Sequence, residues 1–143
     1  MNNDTELLLR ECNSGIKMGM NSIKNVLPYA KGEEMRRILN ACSDKHAVLG
    51  DKAHKALLKI NADTKPPHAA ARVMAKMKIK AEVSLNPKNK KIADVMTDGC
   101  NMGIKSIYKY LNLYSGASNE AKQIANDLIS AEQELRTDLR CFL

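Results

Sequence analysis

Apolar residues recur every three or four positions along most of the chain, the period of a helix with one buried face. From Asp4 or Thr5 to Leu27 the stripe is Leu9, Cys12, Ile16, Met20, Ile23 and Leu27, and Pro28 is expected to end that helix. From about Lys31 to Ile60 it is Met35, Leu39, Cys42, His46, Leu49, Ala53, Ala56 and Ile60. A third long helix is expected from about Lys88 to Tyr114, along Ala93, Met96, Cys100, Ile104, Ile107 and Leu111, closed by Ser115-Gly116. A fourth runs from near Ser118, a good N-cap, to about Cys141, with Ala121, Ala125, Leu128, Glu132, Leu135, Leu139 and Phe142 on its stripe.

The breaks between these patterns set the topology. Short links join the first helix to the second and the third to the fourth, so each pair is expected to be an antiparallel hairpin. Residues 61–87 are different: breakers at Asn61 to Pro67, then a shorter helix from about His68 to Leu85, then Asn86-Pro87. That length suffices to run back along a bundle, so the second and third long helices are expected to be parallel. The whole is read as one all-α domain over 1–143: a hairpin at about 4–60, a connector at 61–87 and a second hairpin at about 88–143.

The chain also matches itself. Cys12 to Lys17 reads CNSGIK and Cys100 to Lys105 reads CNMGIK. Ile38-Leu39-Asn40 answers Ile124-Ala125-Asn126 at nearly the same offset. A duplicated hairpin accounts for both matches, with the repeated Gly allowing close helix packing.

Two helical hairpins joined by a crossover that carries an extra short helix resemble the ferritin-like superfamily, especially its small rubrerythrin-like bacterial branch of uncharacterised proteins. The resemblance covers essentially the whole chain in pattern. It implies a four-helix bundle and, in di-iron members, an inward Glu on the first and third helices with Glu-x-x-His on the second and fourth. This sequence departs from that pattern. Cys12 and Cys100 hold the inward places on the first and third helices. Glu11 and Asp98 are read as pointing to solvent. Glu-x-x-His becomes Ser43-Asp44-Lys45-His46 on the second helix and Ile129-Ser130-Ala131-Glu132 on the fourth. A dinuclear iron site needs several carboxylates, so a normal di-iron centre is not expected.

Counting outward from turns near Tyr29 and Gly116 places Cys12 level with His46 and Cys100 level with Glu132. Two thiols, an imidazole and a carboxylate in one layer form a donor set that zinc or iron accepts. Against this stand a structural His46–Glu132 hydrogen bond and cysteines acting as small buried hydrophobes. No cofactor is the leading expectation, with zinc or iron as the alternative. His46 has a reference pKa suited to proton transfer, but no nucleophile with a base and an oxyanion loop, and no phosphate loop, is present. His54 and His68 are read as solvent-facing.

Composition adds two things. The four cysteines have no C-x-x-C element, which reads as reduced thiols, and no apolar run is long enough to span a membrane, so a cytoplasmic protein is expected. The net charge of +7 is concentrated: between Pro66 and Lys91 lie Arg72, Lys76, Lys78, Lys80, Lys88, Lys90 and Lys91, with Glu82 the one acid. Arg72, Lys76 and Lys80 share a helix face. Such a strip suits an anionic polymer or surface, though it contains no aromatic residue for stacking on bases.

The functional expectation is a non-catalytic bundle acting by binding or assembly. The alternatives are a metal- or small-ligand site built on Cys12, His46, Cys100 and Glu132, and an anion-binding strip of Arg72, Lys76, Lys80, Lys88, Lys90 and Lys91. A second apolar face of Leu7, Leu8 and Met18 suggests a homodimer.

Overall fold

A computed structural model of the chain describes residues 3–62, 83 and 88–143. Helix α1 spans Asp4–Val26, α2 Glu33–Lys59, α3 Asn89–Leu113 and α4 Asn119–Asp138, and no strand occurs among the described residues. The four pack against one another as a bundle. None is long and apolar enough to cross a membrane.

Their directions follow from contacts between named residues. Gly19 meets His46 and Gly50 meets Ile16, so α1 and α2 are antiparallel. Lys59 pairs with Glu120 and His46 with Glu132, so α2 and α4 are antiparallel. Arg136 donates to Asn101, while Gly103 lies against Glu132. Asp4 and Thr5 accept from the backbone N–H of Gly116 and Ser118, each at 2.8 Å, tying the start of α1 to the α3–α4 turn. At the other end the Asn89 side chain accepts from Lys31 N–H and donates to Lys31 C=O. Helices α2 and α3 therefore start at the same end and are parallel. The end of α2 and the start of α3 lie at opposite ends of the bundle, separated by the length of α2, whose 27 residues span about 40 Å.

The short helix expected over about 68–85 lies outside the described residues, as do His68, Arg72, Lys76, Lys78 and Lys80. Val83, described on its own in that stretch, is buried against the core.

Local signals explain some helix ends. Ser118 Oγ accepts from Ala121 N–H at 3.2 Å, the expected N-cap of α4. At the start of α1 the outcome differs: Asn3 is the N-cap, and Asp4 and Thr5 instead serve the α3–α4 turn. Pro28 does not stop the chain's coiling at once. It sits in a 3-10 turn, Leu27–Tyr29, and the link continues to Gly32, whose φ of +81° favours a residue without a side chain.

The core has two apolar blocks. One gathers Leu8, Leu9, Cys12, Ile16, Leu49 and Leu128 toward the α3–α4 turn. The other gathers Ile23, Met35, Leu39, Cys42, Cys100 and Leu139 toward the α1–α2 turn. On each helix the break between blocks falls at the same level: Gly19, His46, Gly103 and Glu132. Leu8 is fully buried in the first block, and Leu7 is half-buried. The second apolar face read on the first helix is therefore not a free surface.

Candidate functional site

His46 is fully buried, as its place on the α2 stripe predicts. A buried imidazole needs partners for both ring nitrogens. Nδ1 lies 2.9 Å from the carbonyl oxygen of Cys42, one turn back, and 3.5 Å from Cys42 Sγ. Nε2 lies 2.7 Å from Glu132 Oε1. A carbonyl only accepts, so Nδ1 carries hydrogen and donates. Burial by itself lowers the imidazole pKa, but the hydrogen bonds to Cys42 and Glu132 outweigh it and raise it from 6.5 to about 10. At neutral pH His46 is therefore an imidazolium donating from both nitrogens.

Glycines make room for this pair. A Cβ on Gly19 would fall 2.8 Å from Nε2 and 2.9 Å from Cδ2 of His46, so the ring fills space a side chain would need. A Cβ on Gly103 would lie 3.6 Å from Glu132 Oε2, an ordinary contact. The carboxylate thus reaches across from α4 to the seam between α1 and α3.

Cys100 joins the pair and Cys12 does not. The Cys100 thiol is held protonated by burial first, then by the charge of Glu132 and a hydrogen bond to it. Cys12 lies in the other core block, where burial and the nearby Glu11 push its pKa up to about 12. It is seven residues from Gly19, about 10 Å along the helix. The four-residue layer expected from the sequence is thus corrected to Cys42, His46, Cys100 and Glu132. The cause is the α1–α2 link: it extends to Gly32 rather than pivoting at Tyr29, which slides α2 by about two turns against α1. No three described His, Cys, Asp and Glu residues are grouped to hold a metal ion.

Above the pair lies a cavity of about 320 Å³ between α1 and α3. Ser14, Gly15 and Gly19 line it from α1, and Gly99, Gly103 and Ser106 from α3. These small residues leave the two helices without side chains to fill the space between them. Met18, Met96 and Met102 supply much of the apolar wall, and His46 and Glu132 form the floor. The space would hold roughly ten waters, near the lower end of the range for ligand pockets.

Glu11 also lines this cavity, which corrects its reading as a surface acid. It is half-buried beside Tyr110, whose pKa is raised by burial first and then by the charge of Glu11 and a hydrogen bond to it. Helix α1 touches all three other helices, so a position off its main stripe still faces protein. Of the other residues singled out, His54 is exposed as expected, as are Lys88 and Lys90, while half-buried Lys91 lies 3.8 Å from Asp94.

Cys42 and Gly19 were not singled out as site residues by sequence reasoning. Cys42 stands four residues before His46, within reach on one helix face. Gly19 follows Gly15 by four, as Gly103 follows Gly99, a spacing that lines up bare backbone on one face. Comparison with protein-family models, with curated proteins and with solved structures gave no match for this chain.

Proposed function

We propose that this protein is a non-catalytic, ferritin-like bundle that binds a small, mostly apolar ligand between α1 and α3. The observation that carries this reading is the cavity with its polar floor. Two facing helices bare their backbones over about one turn each, and a hydrogen-bonded pair closes the bottom. An apolar pocket with a few placed polar groups is the common form of a small-molecule site. The helix directions support the ferritin-like arrangement. The offset between His46 and Glu132 supports duplication of a hairpin: their separation of 86 residues is the one that relates Ile38-Leu39-Asn40 to Ile124-Ala125-Asn126.

A binding role also fits the chemistry of the floor. Cys12 and Cys100 have pKa values shifted toward the thiol, which is a poor nucleophile. Both imidazole nitrogens are engaged, which leaves neither available as a base. This reading assigns no metal.

The test is titration with N-phenyl-1-naphthylamine, a neutral apolar probe whose fluorescence rises in a dry site. Saturable one-to-one binding is expected. Gly99→Leu should weaken it strongly, because Gly99 lines the cavity and a Cβ there meets nothing within 4 Å, so the protein can accept the larger side chain at the cavity's edge. A linear, non-saturating signal, or equal binding by the variant, would reject the reading.

A further inference from the structure

We infer that the ligand of this cavity is a lipophilic amine, an apolar body carrying one ammonium group that binds Glu132 Oε2. The inference rests on the cavity being a ligand site, as proposed above, and adds the chemistry of the head group.

Among the described residues lining the cavity, the charged groups are Glu11, Glu132 and His46. The imidazole offers nothing to a ligand, since its hydrogens already go to the Cys42 carbonyl and to Glu132 Oε1. The carboxylate does have something to offer. Oε1 accepts from His46, the Cys100 thiol also hydrogen-bonds to the carboxylate, and Oε2, an acceptor with two lone pairs, faces Gly103, where no side chain stands in the way. Glu132 keeps 12% of its side chain exposed while His46 keeps 1%, so the carboxylate is the member of the pair within reach.

A carboxylate oxygen is acceptor-only and forms its strongest hydrogen bonds with cationic donors. An ammonium at Oε2 would complete an alternating row of imidazolium, carboxylate and ammonium. An anionic head group at the same place would meet Glu132 in a low-dielectric setting and be rejected. The apolar body would lie along the groove among Met18, Met96 and Met102, side chains that adapt to irregular shapes.

The experiment compares three probes with one body: 4-phenylbutylamine, 4-phenylbutanol and 4-phenylbutyrate, by calorimetric titration of the full chain at pH 7. The amine should bind tightest, by about tenfold or more over the alcohol, with the carboxylate weakest. Glu132→Gln should bring the amine down to the alcohol. If that variant fails to fold, Gly103→Ala serves instead. It places a methyl 3.6 Å from Oε2, where the ammonium would sit, and should remove the amine's advantage. Alcohol and amine binding equally, or the carboxylate binding best, overturns the ligand class and leaves the cavity reading standing. Failure of all three probes and of N-phenyl-1-naphthylamine overturns both.

Discussion

The ring of His46 occupies the position that a side chain on Gly19 would take, at 2.8 Å from an added Cβ. Two helices can thus come close enough for an imidazole on α2 to reach past α1 to Glu132. Gly19→Ala should break this arrangement, because the ring is fixed by hydrogen bonds at both nitrogens and cannot swing aside cheaply. Alanine in place of glycine favours a helix by about 1 kcal/mol, but overpacking costs about 1–3 kcal/mol and the pair would be strained besides. A net loss is expected. Gly15→Ala is the control: its Cβ would meet Leu128 at 3.7 Å and Ile107 at 4.0 Å, so a gain of about 0.5–1 kcal/mol is expected. Urea midpoints at unchanged slope measure both. A stable Gly19→Ala protein would show that the ring is not held as described.

His46 gives the stability a definite pH dependence. Its pKa is raised from 6.5 to about 10 in the folded protein, so between those values the native state binds more protons than the unfolded one. The sign follows: the stabilisation is fully present below about pH 6.5 and is lost progressively as pH rises toward 10. The loss should be of the order of a few kcal/mol and should be much smaller in Glu132→Gln, which removes the charged acceptor. Denaturation between pH 6 and 10, with the His46 ring proton followed by NMR, separates this group from exposed His54. A ring that titrates near 6.5 would contradict the imidazolium assignment.

The four long helices were legible in the sequence, and the register between them was less so. Stripes with three- and four-residue spacing put His46, Glu132, Cys12 and Cys100 inside, because burial of one helix face is a property of that helix alone. Levels across a hairpin depend on the link, and the α1–α2 link is longer than Pro28 suggests, since a 3-10 turn and Gly32 follow it. That moved Cys12 two turns away, while Cys42, one turn before His46 on the same helix, reaches the imidazole whatever the register of the link. At the α3–α4 turn, where Gly116 and Ser118 mark a short link, the count missed by less than one turn: Gly103 stands level with Glu132, and Cys100, three residues earlier, still reaches it. Glu11 was misplaced for another reason: a helical wheel drawn for one partner face does not describe α1, which has three neighbours.

The end of the bundle near Gly116 should be stabilised by a small group of hydrogen bonds. Ser118 caps α4 through Ala121 N–H, and its own N–H is held by Thr5 Oγ1. Ser118→Ala removes the side-chain bond and should cost about 1 kcal/mol. Thr5→Val keeps the shape of Thr5 but leaves the Ser118 N–H without that acceptor, and a similar cost is expected. Because both residues act on one turn, the double variant should depart from additivity. A double-mutant cycle from urea denaturation reads this directly, and strict additivity would show that the two bonds act independently.

The thiols provide a test of the floor that needs no ligand. Cys12, Cys42 and Cys100 are buried and Cys141 is exposed. Iodoacetamide should therefore modify one cysteine quickly in the native protein and the other three only on unfolding, as counted by mass. Cys100 should stay slow even though it lines the cavity, because Glu132 adds to the effect of burial in keeping its proton on. In Glu132→Gln that charge is gone, so Cys100 should react faster than in the wild type. Cys12, held protonated by burial and by Glu11, should be unchanged. Peptide mapping after a short exposure distinguishes the two. If Cys12 and Cys100 accelerate together, the variant has loosened the whole core. Acceleration of Cys100 alone places its thiol against Glu132.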